Sequence, residues 1–131
     1  IRDDLSDRWS GAVVSDGRRA VILENEFHPL GRRNSTVAHE VAHIVLEHPL
    51  ATRILDERSC GAGRVLESEA DELSGELLLP RDALVPAAIQ GASIAQIAEH
   101  FSVSEQFATW RYNMSGVRNI LKARKQSRNA R

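Results

Sequence analysis

The sequence predicts an α+β fold, mostly helical, with a small antiparallel sheet near the N-terminus. Three observations predict it. Two short apolar runs flank an Asp16-Gly17 pair early in the chain, two later stretches repeat apolar residues at helical spacing, and the last third alternates helical segments with tight turns. A length of 131 residues suits one domain with a buried core, so residues 1–131 are read as a single domain.

Residues 1–10, IRDDLSDRWS, are a polar lead-in; because the chain starts at Ile1 and not Met, it is expected to be truncated. GAVVSDGRRAVILEN reads as a β-hairpin, since Asp-Gly accepts the backbone angles of a tight turn. EFHPLGRR follows as a loop. Asn34, Ser35 or Thr36 can cap the next helix through a side-chain oxygen, and Pro49 stops it. Residues 50–64 look irregular, with Gly61 and Gly63 as breakers. A second long helix runs through VLESEADELSGELLL to Pro80. SIAQIAEHF, a turn at Ser102 to Ser104 and EQFATWRYNMSGVRNILKARK then read as helix, turn, helix. Residues 93–117 of this stretch close the domain, and 118–131 form a basic C-terminal tail.

Composition excludes several classes. With 42% hydrophobic and 27% charged residues the chain is globular, and a net charge of −1 gives no general pull towards nucleic acid or lipid. No apolar run approaches the ~20 residues of a membrane helix, and no signal-peptide pattern is present. The one cysteine, Cys60 in the loop SCGAG, cannot make an internal disulfide. That fits a reducing cytoplasm, and the thiol reads as structural or free, not as a nucleophile. From Arg118 onward six basic residues occur without an acidic one, a solvated end by the plain reading and a phosphate-contacting arm by the alternative.

The stretch NSTVAHEVAHIVLEHP carries the chemistry. On a helical wheel with His39 at 0°, His43 falls at about 40° and Glu40 at about 100°, on one narrow face. Val37, Val41, Ile44 and Val45 group between roughly 140° and 240°, the expected buried stripe. Two imidazoles one turn apart can reach one zinc ion at ~2.0–2.1 Å each. Glu40, next to the first of them, can take a proton from metal-activated water without being a ligand. A shuffled chain of this composition would show His-Glu-x-x-His roughly 1.5 per cent of the time, so the pattern informs without deciding. His48 lies at about 180°, in the apolar stripe and before Pro49, and reads as a structural or surface histidine.

The third ligand is sought downstream in ESEAD. Glu67 and Asp71, one turn apart, share a face with Ala70, Leu73 and Leu77, while Glu69, Glu72 and Glu76 form a solvated acidic strip opposite. Glu67 is favoured over Glu69 as the ligand that completes a His, His, Glu site with an open fourth position. Asp71 is placed to accept a hydrogen bond from the outer nitrogen of a ligand histidine. This donor set suits one zinc per chain best, with manganese or iron able to enter.

RRNSTVAHEVAHIVLEH followed by ESEADELSGELLLP resembles the ImmA/IrrE family of metallopeptidases, with Glu67, Ala70, Asp71, Leu77, Leu78, Leu79 and Pro80 matching the family's second segment. The likeness covers roughly residues 11 to 117. Val41-Ala42 stands where Leu-Gly is usual and Leu73-Ser74 where Phe-Ala is common; neither pair is a proposed ligand. The resemblance implies a compact zincin-like domain. It also implies limited cleavage of a helix-turn-helix transcriptional repressor during stress or mobile-element induction, although some relatives act by binding regulators alone.

Chemistry alone offers Tyr112, Arg111 and His100 as donors to the tetrahedral oxyanion. An extended substrate can add to the edge of the strand at AVILEN. A rival reading takes SIAQIAEHFSVSEQFATWRYN as a DNA-binding helix-turn-helix. Its second helix offers no base before Arg111, so DNA is not the expected partner. A metal-dependent scaffold that grips a repressor without cutting it is the third reading.

Overall fold

The computed structural model describes residues 9–50 and 62–130; the lead-in before Trp9 and the Cys60 loop lie outside the described residues. Two strands and six helices follow in the order β1 (Gly11–Ser15), β2 (Ala20–Glu24), α1 (Leu30–Val45), α2 (Ala62–Leu78), α3 (Arg81–Ile89), α4 (Ile94–His100), α5 (Glu105–Met114) and α6 (Val117–Asn129).

The hairpin forms where Asp16-Gly17 placed it. The Asp16 carboxylate accepts the N–H groups of Arg19 at 2.7 Å and Arg18 at 2.8 Å, which holds its carboxyl below the usual range. Gly17 takes a φ of 86°, open to glycine at little cost. Val14 pairs with Val21 and Val13 with Ile22, so strand alternation buries Val13 and leaves Val14, Val21 and Leu23 exposed on the other face. The hairpin packs on α1, and the Arg33 guanidinium bonds Glu24 and lowers its carboxyl pKa.

Helix α1 starts at Leu30, earlier than the Asn34–Thr36 cap expected from sequence. Pro29 sits at the N-cap, and its carbonyl accepts from the N–H groups of Arg32 and Arg33. The residues read as caps serve otherwise: Asn34 Nδ2 donates to the Ser102 carbonyl at 2.8 Å and Ser35 Oγ donates to the Gly31 carbonyl at 2.6 Å. Gly31 is required by proximity, since a Cβ there would lie 2.6 Å from Ser104 N and 2.7 Å from Val103 C. The first turn of α1 is thereby docked on the α4–α5 turn.

The buried face of α1 is not the expected valine stripe. Ala38 and Ala42 are buried together with Glu40 and His43, while Val37, Val41 and Ile44 are half-buried and Val45 is 63% exposed. On α2 the buried residues include Ala70 and Ser74. Small side chains let two helix backbones come close, and α1 with α2 forms the most extensive helix–helix contact among the described residues. Close approach is what a site built from both helices needs. Leu77, expected to face inward, is exposed.

The larger apolar side chains collect elsewhere. Leu79, Leu84, Ile97, Val103 and Val117 form a core between the end of α2 and α3 to α6. Helix α3 has no counterpart in the sequence reading, because Pro86 inside it masks the helical pattern; Leu84 and Ala88 bury its inner face. α5 and α6, read as one helix, are separated at Gly116, whose φ of 76° breaks the run. Most of the basic tail is therefore helical, as α6. No helix among the described residues is long and apolar enough to cross a membrane.

Three helices end alike. α3 uses Gly91 in the left-handed region; α1 uses Glu47 at φ 55° and α4 uses Ser102 at φ 52°. In each, the residue after the left-handed one donates five residues back: Ala92 to Ala87, His48 to His43 and Val103 to Ala98. This is the Schellman closure, and in α1 it folds His48 back under the helix.

Candidate metal centre

His39 and His43 project from α1 one turn apart, and α2 brings Glu67 to meet them. His39 Nε2 lies 3.0 Å from His43 Nε2 and 3.0 Å from Glu67 Oε2, and His43 Nε2 lies 3.5 Å from Glu67 Oε1. Ligand atoms at ~2.0–2.1 Å in a tetrahedral zinc site stand about 3.3 Å apart, so the observed separations bracket that value. The three residues form the group of donor atoms able to hold a metal ion among the described residues. Burial is graded: the His43 side chain is 1% exposed, that of His39 22% and that of Glu67 48%. The donor set thus has a dry floor and an open rim.

Each histidine is also engaged at its other nitrogen. His39 Nδ1 lies 3.0 Å from Asp71 Oδ1, on α2 one turn beyond Glu67. His43 Nδ1 lies 2.8 Å from Nδ1 of His48, whose Nε2 lies 3.0 Å from Glu69 Oε2. A neutral imidazole donates through one nitrogen and accepts through the other. A carboxylate on Nδ1 leaves the Nε2 lone pair of His39 facing the other donors. Glu40 is buried on the same helix, next to His39.

Of the two alternatives read for His48, structural or surface, the structure shows the buried one, against His43. The acidic strip is not simply solvated, since Glu69 meets His48 and Glu76 meets Arg111. Burial pushes the Glu76 carboxyl up, but the Arg81 N–H and the Arg111 guanidinium outweigh it and hold it below the ordinary range.

Of the three residues weighed as oxyanion donors, Arg111 is buried and donates Nε to the Leu79 carbonyl, tying α5 to the end of α2. Tyr112 packs against the helical core, and His100 stands edge-on to Phe101. Arg111 is also the one basic residue of α5, so that helix has no base free to meet a DNA groove. A groove of about 890 Å³ opens beside Asp71, walled by Arg32, Ser35, Ser74, Phe107 and Trp110. It brings solvent to the Asp71 carboxylate, which is 57% exposed.

The sequence profile of a peptidase family described as the IrrE N-terminal-like domain matches residues 3–113. No curated protein and no solved structure gives a significant match. The match covers most of the chain, and the chain belongs to this metallopeptidase-type family.

Proposed function

We propose that this member of the IrrE N-terminal-like peptidase family is a zinc-dependent endopeptidase, with His39, His43 and Glu67 as ligands and Glu40 as the general base. The observation that carries the reading is the convergence of two imidazole nitrogens and one carboxylate at tetrahedral spacing, with Asp71 behind one imidazole and His48 behind the other. Zinc bound there supplies Lewis acidity, which activates water and polarises a peptide carbonyl.

The remaining steps belong to the chain's own residues. Glu40 takes the proton as the water oxygen bonds to the carbonyl carbon, holds it, and delivers it to the departing amine nitrogen when the C–N bond breaks. Asp71 accepts from His39 Nδ1 and keeps that ring aimed at the centre. Glu67 closes the donor set from α2, so the α1–α2 packing sets the geometry of the site. β2 pairs only with β1 among the described residues, which leaves an edge where an extended polypeptide can add.

The substrate class is a protein. A helix-turn-helix transcriptional repressor in the cytoplasm is the target that the family resemblance supports; the geometry itself speaks to peptide-bond chemistry. A test is limited digestion of such a repressor by the metal-loaded chain, with Glu40→Gln beside it. The variant should bind metal as the wild type does and cleave about 10²–10⁴-fold more slowly. Equal cleavage by both proteins would remove Glu40 from the mechanism. Metal-dependent binding without cleavage by either would favour the scaffold reading.

A further inference from the structure

We propose that His48 and Glu69 are positioning residues that fix the tautomer and orientation of His43 through a two-step hydrogen-bond relay, an inference that rests on the ligand assignment above. The relay follows from proton accounting. For His43 to turn the Nε2 lone pair towards His39 and Glu67, its proton must sit on Nδ1. That nitrogen faces His48 Nδ1 at 2.8 Å, so His48 Nδ1 must accept. The His48 proton then sits on Nε2, 3.0 Å from Glu69 Oε2, and a carboxylate accepts it. With both rings neutral and the His43 Nε2 lone pair turned to the donor set, this arrangement of protons satisfies every contact from Glu69 to His43.

Burial gives the relay its force. The His43 and His48 side chains are 1% and 5% exposed, so water cannot readily replace either partner, and an unmet N–H there is costly. The rings meet edge to face with centroids 4.9 Å apart, which fixes their mutual orientation. The backbone is shaped for the same contact. Glu47 takes a left-handed φ of 55° without being glycine, and the resulting closure returns His48 N–H to the His43 carbonyl at 2.9 Å. The same residue therefore contacts His43 at the backbone and at the ring. His39 is braced differently, by the Asp71 carboxylate in a single step.

The test uses His48→Leu, His48→Gln and Glu69→Gln. Leucine fills the space and offers no acceptor. Glutamine restores both contacts, since its carbonyl can accept from His43 and its amide can donate to Glu69. Zinc affinity is read by competition with a chromophoric chelator, and ring tautomers by nitrogen-15 NMR of the metal-free protein. Wild type should show protons on His43 Nδ1 and His48 Nε2. His48→Leu should bind zinc about 10–100-fold more weakly while still melting cooperatively as a folded metal-free protein, and His48→Gln should bind within about threefold of wild type. Glu69→Gln should lose less than His48→Leu, because Glu69 is half exposed.

Wild-type affinity in a folded His48→Leu would overturn the relay, as would a proton on His43 Nε2 with Nδ1 bare in the wild type. If His48→Leu fails to fold, the wild-type tautomers and the Gln variants decide. A wild type that binds no zinc would refute the ligand assignment, and the tautomers of the metal-free protein would still judge the relay separately.

Discussion

Asp71→Asn isolates the contribution of charge at one ligand. Asparagine keeps an oxygen that can accept from His39 Nδ1, so the 3.0 Å contact can persist while the negative charge goes. Two unit charges ~4 Å apart interact by about 1 kcal/mol in water and about 4 kcal/mol near a protein surface. The ring of a ligating histidine carries only part of a unit charge, and Asp71 is 57% exposed beside an open groove. The loss therefore belongs near the lower limit, about 1–1.5 kcal/mol, which is roughly tenfold in metal affinity. Asp71→Ala removes the acceptor as well and should cost roughly thirtyfold, within the usual range for partners behind a metal ligand. Competition with a chromophoric chelator at fixed pH and salt measures both, with thermal melting of the metal-free proteins as the folding control. Unchanged affinity in both folded variants would refute the assignment of Asp71 as the brace of His39.

Gly31→Ala would drive a methyl group into the backbone of Val103 and Ser104, at 2.6–2.7 Å, and should destabilise the protein by about 1–3 kcal/mol in a denaturant melt. An unchanged midpoint would mean that α1 does not rest on the α4–α5 turn. Glu47→Gly should stabilise by about 0.5–1 kcal/mol, because relief of left-handed strain exceeds the added freedom of the unfolded chain; a lower melting temperature would contradict this. The Glu76 carboxyl titrates lower when folded than unfolded, so its contribution is present above the unfolded value of about 4.3 and is lost as pH falls through the folded one. Stability curves of wild type and Glu76→Gln should therefore differ at neutral pH and converge in acid. A constant difference across the range would refute the linkage.

The fold class was legible in the sequence, and the candidate donor residues could be placed on shared helix faces because of their spacing. His39 with His43, and Glu67 with Asp71, are pairs four residues apart on helices, so their shared faces follow from helix geometry alone. Their meeting across α1 and α2 was expected from chemistry and from the family resemblance. The buried stripe of α1 was misread because the expectation weighed large aliphatic residues. A tight helix pair instead selects small ones, here Ala38 and Ala42. His48 stayed open between structural and surface because its position depends on a left-handed residue that sequence marks clearly when it is glycine, and position 47 is glutamate. Arg111 escaped because Glu76 and Leu79 lie more than thirty residues before it, beyond any local pattern. Helix α3 was hidden by Pro86, which argues locally against the helix that the burial of Leu84 and Ala88 supports.

The most direct test of the central claim is the metal content of protein purified without chelator, by elemental analysis, with His43→Ala and Glu67→Ala measured alongside. The account predicts about one zinc per chain in the wild type and its loss, or marked weakening, in both folded variants. Wild-type protein that neither carries nor takes up zinc, or variants that retain a full equivalent, would contradict it.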